Sequence, residues 1–278
     1  MEKDFKDILR ESYKEYKDNF RVYFPLILLL SIIPSLFITT GSFLISSKSL
    51  SLGDKPSFEQ LQGFVTQNFY LMLLFALGII IVIILGNLLY SSLIYNVMNK
   101  KKYMNFSDTI KGGKRFFWIY LGFVIVICLL LIGLIILLII PAIIFGIYWI
   151  YSPFILIGEK KGIIESLKES KKLVKTRWWK TFGKVLSLAL FLILAYIIFG
   201  ILSIFFNFLI NPDYVYNMLN NYNKDIDLFY NALYSNNMNL VSILIEDLFN
   251  MVAGLITIPI SLLFIKNLYL ERKNSRKS

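Results

Sequence analysis

The sequence predicts an all-α membrane protein whose six transmembrane helices form three helical hairpins, with amphipathic helices beside the membrane. Three observations carry this expectation. Hydrophobic residues make up 57% of the 278 residues and charged ones only 17%, too few charges to solvate the apolar surface of a soluble domain. The 43 residues from Phe116 to Gly158 contain no charge. As one straight helix they would reach roughly 60 Å, twice the roughly 30 Å hydrocarbon core of a bilayer, so the stretch must fold back on itself. Finally, of 29 Lys and Arg, 26 fall in segments 1–21, 99–115, 158–184 and 266–278, leaving Lys48, Lys55 and Lys224 elsewhere. That asymmetry follows the positive-inside rule for a multi-pass protein of the cell membrane with both termini in the cytoplasm.

Taken in order, residues 1–21 alternate charge with Phe5, Ile8, Leu9, Tyr13, Tyr16 and Phe20. The spacing places one apolar stripe on a surface-lying helix. The segment is not expected to be a signal peptide, because the apolar stretch after it starts late and is too long. Expected spans then cover 22–46, with Pro25 and Pro34 favouring a kink, and 69–98, after a polar outer loop at 47–68. Asn87 is the strongly polar residue inside the second span, suited to an interhelical hydrogen bond or to a ligand path. A basic loop follows with Lys100, Lys101 and Lys102. Spans 116–138 and 141–157 make the uncharged hairpin, bent between Gly133 and Pro141, since proline suits the first turn of a new helix. The fifth span covers 185–210 and the sixth 241–270, with Pro259 expected to bend it. Between them, 211–239 holds apolar residues at helical spacing, fitting either a cap over the outer mouth or a helix lying on the outer surface. All 278 residues are expected to form a single membrane domain.

ESYKE at 11–15 and ESLKE at 165–169 are each followed by basic and aromatic residues and then a span, and Ser107 to Trp118 repeats that order more loosely. The echo suggests three successive hairpins, each introduced by a short amphipathic helix.

Composition narrows the chemistry. There is no histidine, which excludes His-based triads and histidine bases, and a zinc site is not expected. The single cysteine, Cys128, lies inside an apolar span and is expected to be a packing residue. Glu246 and Asp247 are the adjacent carboxylates near a span, expected at an interface in a structural role. No phosphate-cradling glycine loop or nucleophile motif is present. No enzyme activity, cofactor, metal or nucleic-acid partner is therefore expected.

Segment 159–184 is basic and amphipathic. Ile163, Ile164, Leu167, Ser170, Val174 and Trp178 fall near one face, and nine basic residues against Glu159, Glu165 and Glu169 leave it at +6. Such a helix can lie on an anionic membrane surface, or its stripe can pack on the bundle while the lysines face water. Lys168, Lys171, Lys172, Lys175, Arg177, Trp178 and Trp179 are the candidate headgroup contacts, the indoles being suited to the interface.

Tyr151 to Val174, YSPFILIGEKKGIIESLKESKKLV, resembles prokaryotic integral membrane domains related to the membrane domain of glycerophosphodiester phosphodiesterases. Pro153, Glu159, Gly162, Leu167 and Ser170 match that pattern, while Ser166 stands where alanine is usual. The resemblance implies an all-helical membrane fold without the separate catalytic barrel of those enzymes. The leading functional expectation is a non-catalytic protein that interacts with anionic lipids or serves as an accessory subunit of a membrane complex. A transporter of small solutes or lipids is the alternative, and a protein partner or homo-oligomer stays open.

Overall fold

The computed structural model describes residues 3–49, 57–99, 104–210 and 240–276. Among them 91% are helical and none lies in a strand. The helices are α1 (Phe5–Asp18), α2 (Phe20–Ser49), α3 (Phe58–Met98), α4 (Phe106–Lys114), α5 (Phe117–Leu137), α6 (Ile139–Tyr148), α7 (Ser152–Gly158), α8 (Ile163–Lys175), α9 (Trp178–Ile210) and α10 (Leu240–Ser275). Six stretches of these residues are long and apolar enough to cross a membrane: 20–37, 58–98, 117–136, 139–158, 178–210 and 244–275. The chain is an all-α membrane protein. The expected outer segment 211–239, Lys55 and the Lys100 to Lys102 triplet lie outside the described residues.

Several boundaries differ from the sequence expectation. The loop expected at 47–68 ends early, because α3 starts at Phe58. Ser57 opens it: its Oγ accepts from Gln60 N at 3.2 Å, while the Gln60 side chain accepts from Ser57 N at 2.8 Å, a reciprocal cap that polar residues make well. The fourth span is two helices instead of one. Its break at Trp149 to Tyr151 precedes Pro153, which has no N–H to continue the ladder, and the Ser152 hydroxyl donates to the Trp149 carbonyl in its place. The basic segment also divides: α8 ends at Lys175, and Trp178 and Trp179 open α9. Cys128 is exposed, on the outward apolar face of α5.

The chain divides into two compact units. The first comprises Met1–Leu30, Leu85–Ile193 and Leu255–Ser278. Its core gathers Ile8 of α1, Leu26 and Ile27 of α2, Leu93 and Ile94 of α3, Phe154 to Leu156 of α7, and Leu263, Phe264, Leu268 and Tyr269 of α10, all essentially inaccessible. Leu138, in extended backbone, ends α5, and α6 and α7 pack back on α5, with Pro141 in the first turn of α6.

Within this unit α1, α4 and α8 are short helices, each separated by one or two residues from a long apolar one. Each buries a hydroxyl that donates to the carbonyl four residues earlier: Ser12 to Ile8 at 2.7 Å, Thr109 to Asn105 at 2.9 Å and Ser166 to Gly162 at 2.8 Å. A hydroxyl satisfied inside its own helix can be buried without a distant partner and leaves a small face for close packing. At Gly113 of α4 an added Cβ would lie 2.3 Å from Ser92 Cα, so backbone there meets backbone.

The second unit comprises Ser31–Ile84 and Leu194–Gly254. In it α2 and α3 meet through stacked Phe37 and Phe75, centroids 5.6 Å apart, and each ring occupies the space a side chain would need at Gly78 and Gly41 respectively. Phe206 of α9 touches Phe249 of α10. Most of its other large apolar side chains point outward, including Leu73, Leu77, Ile81, Ile197 and Ile201. Helices of this kind satisfy their backbone internally and lose nothing by facing hydrocarbon.

Candidate functional site

Helix α8 is held by the break it lies against. Where α6 ends and α7 begins, the Tyr148 carbonyl and the Tyr151 N–H have lost their helical partners. Ser170 supplies both: its Oγ donates to Tyr148 O at 2.6 Å and accepts from Tyr151 N at 3.1 Å. The buried face of α8, Ser166, Leu167, Ser170, Leu173 and Val174, thus packs on α6 and α7. Of the two arrangements the sequence allowed, the stripe is covered by protein, and Ile164 falls off it, 56% exposed. The remaining face carries Lys168, Lys171, Lys172 and Lys175, all exposed. Lys171 lies over the rings of Phe145 and Tyr148, 5.2 and 5.5 Å from their centroids.

At the α8–α9 corner the basic face meets apolar surface. A groove of about 630 Å³ is walled by Ile140, Ile143, Ile144 and Tyr148 of α6 on one side and by residues 175–180 on the other, with Phe182. Trp178 is fixed there: its Nε1 donates to Ile144 O at 3.4 Å and its ring stacks on Phe182 at 5.1 Å. Trp179, 77% exposed, points outward. The structure therefore brings Lys175, Arg177, Trp178 and Trp179 to one groove, while Lys168, Lys171 and Lys172 line the open face of α8 instead. Sequence reasoning missed Lys180, although it directly follows the paired tryptophans, and the three isoleucines of α6, whose approach to the corner is tertiary.

A second polar region closes the far end of α7. Lys160 adopts a left-handed backbone, φ 57°, in the turn to α8. Glu159 receives hydrogen bonds from Lys273 Nζ at 2.6 Å and from the Tyr269 hydroxyl, and pairs with Lys161 at 3.1 Å. Burial alone would raise its carboxyl, but the hydrogen bonds from Lys273, Tyr269 and Lys161 outweigh this and hold it at about 2, against an ordinary 4.5. Lys161 also binds Glu169, the main reason its ammonium is raised. Nearby, Lys266 of α10 pairs with Glu15 of α1 at 2.5 Å, and both pairs border a cavity of about 450 Å³ with Asn19, Asn96 and Asn99. The sequence had placed Lys266 only within the sixth span, 241–270, and in the count of basic residues of 266–278.

Glu246 and Asp247 are half-buried in α10 of the second unit, and Asn87 is buried in α3. Among the described residues no group of three His, Cys, Asp or Glu is placed to hold a metal ion. Fold and composition together define a multi-pass helical membrane protein whose charges gather at helix ends. Comparison with protein-family models, with curated proteins and with solved structures finds no match.

Proposed function

We propose that this chain is a non-catalytic integral protein of the cell membrane that binds anionic phospholipids of the cytoplasmic leaflet through the basic face of α8 and the α8–α9 corner. The observation that carries the reading is the division of α8: its small and apolar face is covered by α6 and α7, and what it presents outward is four lysines, with Glu165 and Ile164 beside them. Near an anionic leaflet each Lys or Arg contributes on the order of 1 kcal/mol, and the attraction fades within a Debye length, about 8 Å at physiological salt. The 26-to-3 distribution of basic residues supports a cytoplasmic position for this face and for both termini. An accessory role in a membrane complex is compatible with this reading, the lipid contact then anchoring the subunit.

The test uses the full chain reconstituted in bilayers, in a Trp118→Phe background because Trp118 is itself 78% exposed. Brominated anionic lipid should quench tryptophan emission more than brominated neutral lipid, and the excess should shrink as salt rises. Replacing Lys168 and Lys172 by Glu should reduce it further. Equal quenching by both lipids at low salt would end the electrostatic reading.

The transporter alternative has one observation of its own, the polar cavity between the Glu15–Lys266 and Glu159–Lys273 pairs. A small polar solute could be held by such paired charges and amides. Saturable, gradient-driven flux into proteoliposomes would support transport; its absence across a panel of polar solutes, with lipid selectivity intact, would leave the lipid reading.

A further inference from the structure

We propose that the pocket between the end of α3, the α4–α5 corner and the end of α7 binds a phosphate monoester group, held by Arg115 and Lys160. This goes beyond the lipid reading of α8 and does not depend on it, since none of the cations invoked there lines this pocket.

The two cations reach one pocket by different routes. Arg115 follows α4, whose Gly113 backbone lies against Ser92 of α3. Lys160 stands in the left-handed turn from α7 to α8, and that turn separates two neighbouring lysines: Lys161 pairs with Glu159 and Glu169, whereas Lys160 lines the pocket. Among the described residues neither the Arg115 nor the Lys160 side chain forms a hydrogen bond or an ion pair. No acidic residue lines the pocket. The carboxylate next to it in sequence, Glu159, is turned to Lys273, Tyr269 and Lys161 in the adjoining cavity. An anion entering here therefore meets two cations without a competing carboxylate, and the Asn99 amide at the end of α3 can add a donor.

Charge and size select the occupant. A phosphate monoester carries about −1.5 to −2 near pH 7, matching the two cations, where a diester carries a single charge. A guanidinium donates two parallel hydrogen bonds to phosphate oxygens, and an ammonium adds a point charge. The pocket holds about 240 Å³, below the roughly 300–1,000 Å³ of sites for drug-sized ligands, so it admits a phosphate and few further atoms. Its apolar wall is Tyr95 and Phe116, ring centroids 5.9 Å apart. Tyr95 fills the space a side chain would need at Gly112, so the wall is in place before the ligand arrives and little ordering cost falls on binding. Because α3 ends, α5 begins and α7 ends around this pocket, the phosphate can belong to a lipid headgroup or to a soluble molecule.

The experiment is isothermal titration calorimetry of the full chain in neutral detergent at fixed ionic strength. One arm uses inorganic phosphate, which carries the same charge, and the other a short-chain phosphatidic acid below its micelle concentration. Saturable one-to-one binding is expected in at least one arm; tighter binding of the lipid assigns the phosphate to a headgroup, and equal or tighter binding of inorganic phosphate assigns it to a soluble molecule. In whichever arm binds, the matching diester, dimethyl phosphate or phosphatidylglycerol of the same chains, should bind more weakly. Lys160→Gly should weaken binding about tenfold or more with the unfolding temperature unchanged or raised, because glycine adopts left-handed backbone freely. Arg115→Gln should weaken it as much, and Arg115→Lys, which keeps the charge without the fork, by less. Lys17→Gln, which removes a charge from the exposed last turn of α1, should leave it within about twofold. Binding in neither arm, unaltered binding in Lys160→Gly and Arg115→Gln, or an equal loss in Lys17→Gln would overturn the site, and equal affinity for the diester would overturn the choice of a monoester. These results are separate from lipid quenching at α8, so the site can fail while that reading stands, and the reverse.

Discussion

The two units differ in the contacts their described residues make. In the first, several polar groups that leave water meet a named side chain: Ser170 closes the α6–α7 break, Glu15 meets Lys266, and Glu159 meets Lys273 and Lys161. In the second, rows of Ile, Leu and Phe turn outward, as on Ile197, Ile198 and Ile201 of α9. One unit is specified by directional bonds, and the other by the solvent it is made for. Among the described residues the ion pairs named above lie in the first, while the second supplies apolar length.

That comparison can be broken at Ser170. Its side chain is fully buried and serves two backbone groups at once, so Ser170→Ala leaves the Tyr148 carbonyl and the Tyr151 N–H stranded. A loss of about 3 kcal/mol is expected, read as a lowered unfolding midpoint in detergent or lipid. A loss under about 0.5 kcal/mol would mean that the α6–α7 break is held by something else.

The Glu159 cluster sharpens it through pH. A carboxyl held at about 2 when folded, against an ordinary 4.5, binds fewer protons folded than unfolded between those values. Its stabilisation is therefore complete above about pH 4.5 and lost as pH falls toward 2. Glu159→Gln should flatten the acid limb of a stability profile over that window and leave the shape near pH 7 unchanged. An unaltered acid limb would show that the cluster is not coupled to folding.

The smallest effect belongs to the second unit. Ile201→Ala on the outward face of α9, 62% exposed, should cost less than about 0.5 kcal/mol in a bilayer, because lipid replaces the lost contacts. A cost above about 2 kcal/mol would mean that protein covers this face.

What the sequence revealed follows the range of the forces involved. Bilayer thickness sets the length of an apolar helix, so six spanning stretches are legible from composition alone. The reversal at Leu138 is legible because Pro141 is a local signal. The break at Trp149 was equally local, with Pro153 in the first turn of α7, but an uncharged run drew it into one span. The start of α3 was missed because Ser57 and Gln60 are polar and resemble loop, although they form the cap that opens the helix. Lys175, Arg177, Trp178 and Trp179 could be named as a basic and aromatic cluster. Their meeting with Ile140, Ile143 and Ile144 could not, since nothing local encodes it. The Lys266–Glu15 pair joins residues 251 positions apart, and a chain with 29 cations offers too many equivalent partners to choose among.

The central claim is that the lysine face of α8 meets the cytoplasmic leaflet, and sidedness tests it most directly. Cys128 is exposed and is first replaced by Ser, after which a single cysteine is placed at Lys172, on the open face of α8. A membrane-impermeant maleimide should leave this cysteine unlabelled in intact cells and label it in inside-out vesicles. Labelling in intact cells would put the face on the outer side and contradict the account.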